Sequence, residues 1–245
     1  MESILSGYSD GRMTSYFNES ADHPGEFKGV RNGLPLQAPF ADELAQKAAY
    51  VGFSAMNDAV KTPKVQLMTT AEVYFLKAEA ALRGWTGAGT AQANYEMGIM
   101  KSFEQHGVSG ASAYIADNTS VPANYVDPVN AANNATALSS ITVAWDNAAT
   151  DEEKLERIIT QKWIAVFPEG QEAWSEFRRT GYPKIFPVVS NQSGGDVDTN
   201  IQIRRIPFVD SEKSTNAAGV TAATSLLGGP DNGGTRLWWD TGSNF

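Results

Sequence analysis

Leu155-Glu-Arg-Ile-Ile-Thr-Gln-Lys-Trp-Ile-Ala-Val-Phe-Pro-Glu-Gly-Gln-Glu-Ala-Trp-Ser-Glu-Phe-Arg-Arg-Thr-Gly-Tyr-Pro183 decides the fold. It reads as two helices hinged at Phe167–Gly170. Thr150 ahead of Asp151-Glu152-Glu153 makes a Thr-x-x-Glu capping box, with acids on the positive end of the helix dipole. Leu155, Ile158, Ile159, Lys162, Trp163 and Val166 recur at helical spacing and form a mostly apolar stripe. Pro168 and Gly170 break that pattern. The second helix carries Trp174 and Phe177, then stops on Arg178-Arg179-Thr180-Gly181 with Pro183 beyond.

A second pair precedes it. Thr69-x-x-Glu72 is another capping box. Val73, Leu76, Ala80 with Tyr74, Ala78, Leu82 give a broad apolar face that ends at Gly84. After Gly87–Thr90 a helix runs from Ala91 to His106. Ala93, Met97 and Met100 join Tyr95, Ile99 and Phe103 on its inner side, and Gly107 stops it. Both pairs read as helical hairpins with Ala-rich faces and bulky aromatics. Their starts lie about 80 residues apart, which is not a tandem 34-residue period.

The expected organisation has three parts: an irregular lead-in over 1–66, a hairpin region over 67–183 and a loop-rich cap over 184–245. In the lead-in, Pro24, Gly25, Gly29, Gly33, Pro35 and Pro39 mark turns; short strands fit around Phe27–Gly29, and a short helix fits Ala41–Tyr50 on propensity. The hairpin region is interrupted at 107–149 by a stretch rich in Ala, Ser, Thr and Asn, with local helix expected at 112–117 and 136–144. No Lys or Arg occurs from Glu104 to Glu153. In the cap, Pro187-Val188-Val189 reads as a strand start. Ile201-Gln-Ile-Arg-Arg-Ile206 alternates as a half-buried strand would.

Composition narrows function. The 245 residues can bury a sizeable core; 42% are hydrophobic and 19% charged. A net charge of −9 argues against nucleic-acid binding, which needs a basic face. There is no cysteine, so disulfides, thiol catalysis and cysteine metal sites are excluded. His23 and His106 leave little for histidine metal sites. No apolar run approaches ~18 residues, and the N-terminus shows no charged region followed by an apolar one.

Four ordered segments together resemble the SusD/RagB family, the surface glycan-binding lipoproteins of Bacteroidetes outer membranes. They are Leu67–Trp85, Ile158–Ala165 with Glu172–Pro183, Arg205–Glu212 with Asn216, and Trp238-Trp239-Asp240. Tyr8-Ser-Asp-Gly-Arg-Met13 is similar to a further family segment, with Gly11 where proline is usual. The resemblance implies a mainly α fold of tetratricopeptide-like hairpins with a loop-rich cap and minor β structure. It implies non-catalytic glycan binding at the cell surface and delivery to a TonB-dependent, SusC-like transporter, for which stacked hairpins offer a rigid face. It also implies a lipid anchor outside this chain. Family precursors are about twice this long and begin with a signal ending in a lipidated cysteine, so the chain reads as their C-terminal half.

A pyranose offers apolar faces and a rim of hydroxyls, which an exposed indole or phenol ring and neighbouring amides can cover. Trp163 and Trp174 lie on apolar stripes and read as core; Trp238-Trp239 reads as packing. Tyr114, Tyr125 and Trp145, in the basic-free insertion, and Trp85, just past a helix stop, are the glycan-stacking candidates. Glu153/Glu156, Glu169/Glu172 and Glu72/Glu79 are paired acids of the kind glycosidases use, but helix solvation and dipole pairing account for them. Asp196, Asp198 and Asn200 loosely suggest calcium, without the glycine and bidentate glutamate of an EF-hand; no cofactor is otherwise expected. Arg178-Arg179 could fork an anion, but helix capping and an ion pair to a packed helix are the simpler reading. The runner-up function is a helical-repeat protein–protein adaptor without a sugar site, and a glycosidase ranks third.

Overall fold

The computed structural model describes residues 1–36, 40–61 and 66–245; Pro39 lies outside them. In chain order the helices are α1 (Glu2–Gly7), α2 (Met13–Tyr16), α3 (Glu43–Tyr50), α4 (Asp58–Lys61), α5 (Thr70–Leu82) and α6 (Ala91–Gln105). They continue with α7 (Ala111–Ile115), α8 (Asp151–Ala165), α9 (Gly170–Thr180), α10 (Asp210–Thr215) and α11 (Ala217–Ser225). Among the described residues β structure is two isolated bridges, Phe17–Met56 and Tyr125–Ala135.

The Thr150 capping box closes from both sides, and Thr69 caps α5 through its hydroxyl. The Thr150 hydroxyl accepts from Glu153 N–H while the Glu153 carboxylate accepts from Thr150 N–H, and Thr69 accepts from Glu72 N–H. Gly181, at φ 75°, closes α9 in the left-handed conformation. α5 packs on α6 and α8, and α6 on α8 and α7. The buried stripe of α5 is Ala71, Phe75 and Ala78, while Val73 and Leu76 face outward. On α6, Tyr95, Ile99 and Phe103 go inward, with Asn94, Gly98 and Ser102 beside them; Ala93 and Met100 are exposed. Phe75 sets both choices. A Cβ on Gly98 would lie 2.8 Å from its ring, so the two helices approach at a residue without a side chain.

The lead-in is more ordered than its punctuation predicts. α1 and α2 carry Ile4, Leu5, Met13 and Tyr16 into the same core as α5, α6 and α8. Arg12, fully buried, fastens them: it donates to Asp10 at 2.6 Å and 2.9 Å, to Ser102 on α6 and to Gln161 on α8, each at 2.9 Å. No strand forms around Phe27–Gly29. In the insertion, only α7 and a short 3-10 turn at Ala131–Asn133 are helical; residues 136–144 form an irregular path with bends, not the expected helix. That path is held by tyrosines. Tyr8 donates its phenol to Ile141 O at 2.8 Å and Tyr95 to Val143 O at 2.6 Å.

The cap reverses the expected pattern. Residues 201–206 pair in no sheet, and it is Arg204 and Arg205 that are buried while Ile201, Ile203 and Ile206 face out. Arg204 donates to Asp240 at 2.7 Å and Arg205 to Asp231 at 2.6 Å. Desolvating two guanidinium groups is tolerable because each has a carboxylate partner. Residues 187–189 form no strand either, although Val189 N–H donates to Asn32 O at 2.9 Å.

Candidate functional site

The four sequence candidates separate sharply. Tyr114 is buried: its ring lies edge-on to Tyr8, Arg12 sits over its face at 5.4 Å, and its hydroxyl accepts from Gln161 at 2.9 Å. Burial pushes its phenol pKa well up. Tyr125 is also buried and donates to Gly29 O at 3.1 Å. Neither offers a face to a sugar in this fold. Polar groups of the insertion are paired within it and with α3. Asp127 accepts from Tyr50 and Asn133, each at 2.8 Å, and so frees the neighbouring aromatics to anchor the loop. Trp145 is half-buried against Tyr95, ring centres 5.4 Å apart, with its indole N–H donated to Asn147 at 3.2 Å. Trp85 alone of the four is open, 68% exposed past the end of α5. Among the described residues, none of the three main cavities brings these four together.

A well-formed cleft lies elsewhere. A cleft of about 670 Å³ runs between α8–α9 and the cap. Trp163 and Trp174, expected in the core, are half-buried walls of it. Phe177, Ile185 and Val188 are among its apolar lining, and Asn191, Gln192, Thr199 and Gln202 supply neutral polar groups. Trp174 is held firmly: its indole N–H donates to Ile203 O at 3.2 Å and the Arg178 guanidinium covers its ring at 3.7 Å. Asn191 donates to Val197 O at 2.6 Å and accepts from Ser193 N–H, so it shapes its own loop.

Gln202 is the residue that reading from sequence missed. It lines this cleft and the two neighbouring cavities, and its backbone sits at φ 62°, a region few non-glycine residues occupy. Its N–H donates to Asp198 O at 2.8 Å and the next carbonyl accepts from Trp174, so the surroundings impose that conformation. Among the described residues its side-chain amide has no partner. Strict Ile-Gln-Ile alternation signalled a strand and concealed it.

A second cavity, about 360 Å³, is lined by Arg178, Arg179, Lys184, Arg204 and Arg236 with Asp240. Its guanidinium groups are largely committed. Arg204 and Arg236 share Asp240, and Arg204 also donates to Arg178 O at the end of α9. Arg179 makes a two-pronged pair with Glu79 of α5, both bonds 2.6 Å, and meets Glu176 at 2.5 Å. Arg178 donates to Arg204 O at 3.1 Å. Burial, and then the Arg204 charge, lower the Arg178 pKa. The ion pair to a packed helix is as expected; the carbonyl that Arg178 reaches belongs to the cap.

The glutamates do more than solvate helices. Lys162, 1% exposed, donates to Glu172 at 2.6 Å and Glu176 at 3.0 Å, with Glu72 at 3.9 Å. Glu156 is buried and accepts from Ser139 at 2.5 Å. Glu153 is spent on its helix end, and Glu169, exposed at the N-cap of α9, makes no side-chain cap bond. Asp198 accepts from the N–H groups of Asn200 and Ile201, which hold its carboxylate below the usual range, and Asp196 accepts from Asn232 at 3.2 Å. These bonds are turn chemistry. Among the described residues no group of three or more His, Asp or Glu side chains could hold a metal ion. Trp238, expected to pack, is 91% exposed; Trp239 is half-buried with Arg178 over its ring at 5.4 Å.

Comparison with known proteins gives a consistent answer. Residues 1–240 match the SusD-like family model, described as SusD and RagB outer membrane lipoprotein. A chitin-binding SusD homologue from Flavobacterium johnsoniae is 55% identical with a TM-score of 0.92, over 99% of this chain and 49% of that one. SusD homologues from Bacteroides uniformis and Bacteroides vulgatus are 45% and 42% identical, with TM-scores of 0.87 and 0.89 over 97% and 100% of this chain and 48% and 49% of theirs. Comparison with curated proteins finds no match. The chain thus spans about half the length of the solved relatives it matches.

Proposed function

This chain belongs to the SusD-like family of outer-membrane lipoproteins, and we propose that it holds an oligosaccharide or polysaccharide at the bacterial cell surface for delivery to a TonB-dependent, SusC-like transporter. The observation that carries this is 55% identity over 99% of the chain to a chitin-binding homologue. Chitin and its oligomers are therefore the first ligands to try. Binding proceeds by stacking and neutral hydrogen bonds, with no bond made or broken. The chemistry present supports it: open indole surface at Trp85, half-open indoles at Trp145 and Trp174, and unpaired amide at Gln202. Trp85 is the stacking residue we retain from the sequence; Trp145 is its lesser companion.

The membrane link is a lipid anchor on the whole protein; among the described residues no helix is long and apolar enough to cross a bilayer. The transporter meets the outer faces of the hairpins. Val73 and Leu76 on α5 and Met100 on α6 support this, since they leave apolar surface uncovered there.

Affinity gel electrophoresis against soluble chitin derivatives and a panel of neutral and acidic glycans tests the reading. Retardation by one glycan without product, weakened in Trp85→Ala, is expected. Release of reducing ends would instead indicate a glycosidase. Binding to a protein partner with no glycan retained would favour the adaptor.

A further inference from the structure

The cleft beside Trp174 combines three features: aromatic walls, a residue at positive φ, and a side-chain amide without a partner among the described residues. Trp174 is fixed on both its ring face and its N–H. The Trp163 indole N–H has no partner among the described residues, although the ring lines the same cleft. Gln202 is held at φ 62° with its amide free. Backbone strain persists where the surroundings enforce it, and it gathers at ligand sites. A primary amide offers both donor and acceptor, the complement of a secondary amide. Apolar side chains lining the same cleft, Phe177, Ile185 and Val188, suit a methyl group.

We propose that this cleft receives the acetamido group of an N-acetylhexosamine unit: the methyl lies against the apolar floor, and Gln202 pairs with the acetamido N–H and C=O. The inference rests on the glycan-binding reading above, and on the chitin-binding relative whose polymer carries one acetamido group on each sugar. It adds a selectivity which stacking alone does not supply, because an aromatic ring face is blind to the substituent at the neighbouring carbon. A site built around a hydrogen-bonded group rejects the analogue lacking it.

Gln202→Gly is the informative variant. Glycine occupies a positive φ without strain, so the melting temperature is not lowered while the amide is lost. Titration calorimetry with oligomers of N-acetylglucosamine, of glucosamine and of glucose compares one backbone with and without the acetamido group. Tight binding of the N-acetylated series only, with affinity about tenfold lower in Gln202→Gly, is expected. Unchanged affinity in Gln202→Gly, while the N-acetylated oligomer still binds, overturns the assignment and leaves glycan binding standing. Equal affinity for the glucose series overturns acetamido selectivity. A folded protein that binds no saccharide in this set or the wider panel overturns both readings, and occupation of the cleft by a protein segment then becomes the explanation.

Discussion

The helical bundle and the cap place charge and hydrocarbon in opposite ways. In the bundle Leu155, Ile158 and Ile159 go in and almost everything polar that follows them in is paired, as with Arg12 and Lys162. In the cap the isoleucines of 201–206 stay out while Arg204 and Arg205 are buried on Asp240 and Asp231. The difference is one of what supplies the order. Helices satisfy their own backbone, so the side chains are free to sort by hydropathy. A loop has no ladder, and its path is fixed by side chains bonding to backbone: Asp198, Asn191 and Asn232 each accept from N–H groups nearby.

The bundle's dependence on paired charge gives the largest expected effect. Arg12→Met leaves Asp10 fully buried without its partner, which costs about 3–5 kcal/mol. Urea denaturation should show that loss. A cost below about 1 kcal/mol would mean that the lead-in helices are not part of the cooperative core.

The cap should fail locally. Asp240→Asn removes the carboxylate shared by Arg204 and Arg236 and costs about 2–3 kcal/mol. Amide hydrogen exchange should quicken at Arg204, whose N–H donates to Gly233 O, while Ile158 and Ile159 stay protected. Equal loss of protection in both regions would erase the distinction between them.

Between the two lies Arg179, which ties α9 to α5. Burial alone would raise the Glu79 pKa, but the forked bond and charge of Arg179, with Arg83, more than offset it and leave it lowered. A carboxylate depressed in the folded state stabilises above its unfolded pKa, about 4.5, and that contribution is lost as pH falls through the folded value. Arg179→Met therefore costs about 1–2 kcal/mol at neutral pH, with Arg83 still in place. The gap from wild type should shrink as pH drops below about 4.5. A gap independent of pH would show that packing of the arginine stem, not charge, was lost.

The same contrast explains what was legible. The hinge at Phe167–Gly170, both caps and the stop at Gly181 were readable because each is a local signal with a backbone cause. Buried Tyr114 and Tyr125 were not, since their burial depends on residues about a hundred positions away, Arg12 and Gly29. Trp174 was placed on the right helix but given the wrong surroundings. The stripe shows which face is apolar and not how completely the cap covers it. Gln202 was invisible because alternation encodes a period, and a single positive φ breaks the period without leaving a mark in composition.

Ile206 provides the smallest effect and the most direct check on the inversion. It is 69% exposed, between buried Arg205 and half-buried Pro207. Had 201–206 been the half-buried strand that its pattern suggests, serine here would remove a core contact and cost about 2 kcal/mol or more. With the side chain in solvent, Ile206→Ser should change stability by no more than about 0.5 kcal/mol. Thermal melts of the two proteins side by side decide it. A near-zero difference, together with the loss caused by Asp240→Asn, would establish that this segment is held by its arginines. A large difference would mean that Ile206 is covered, and that hydrophobic burial orders the cap as it does the bundle.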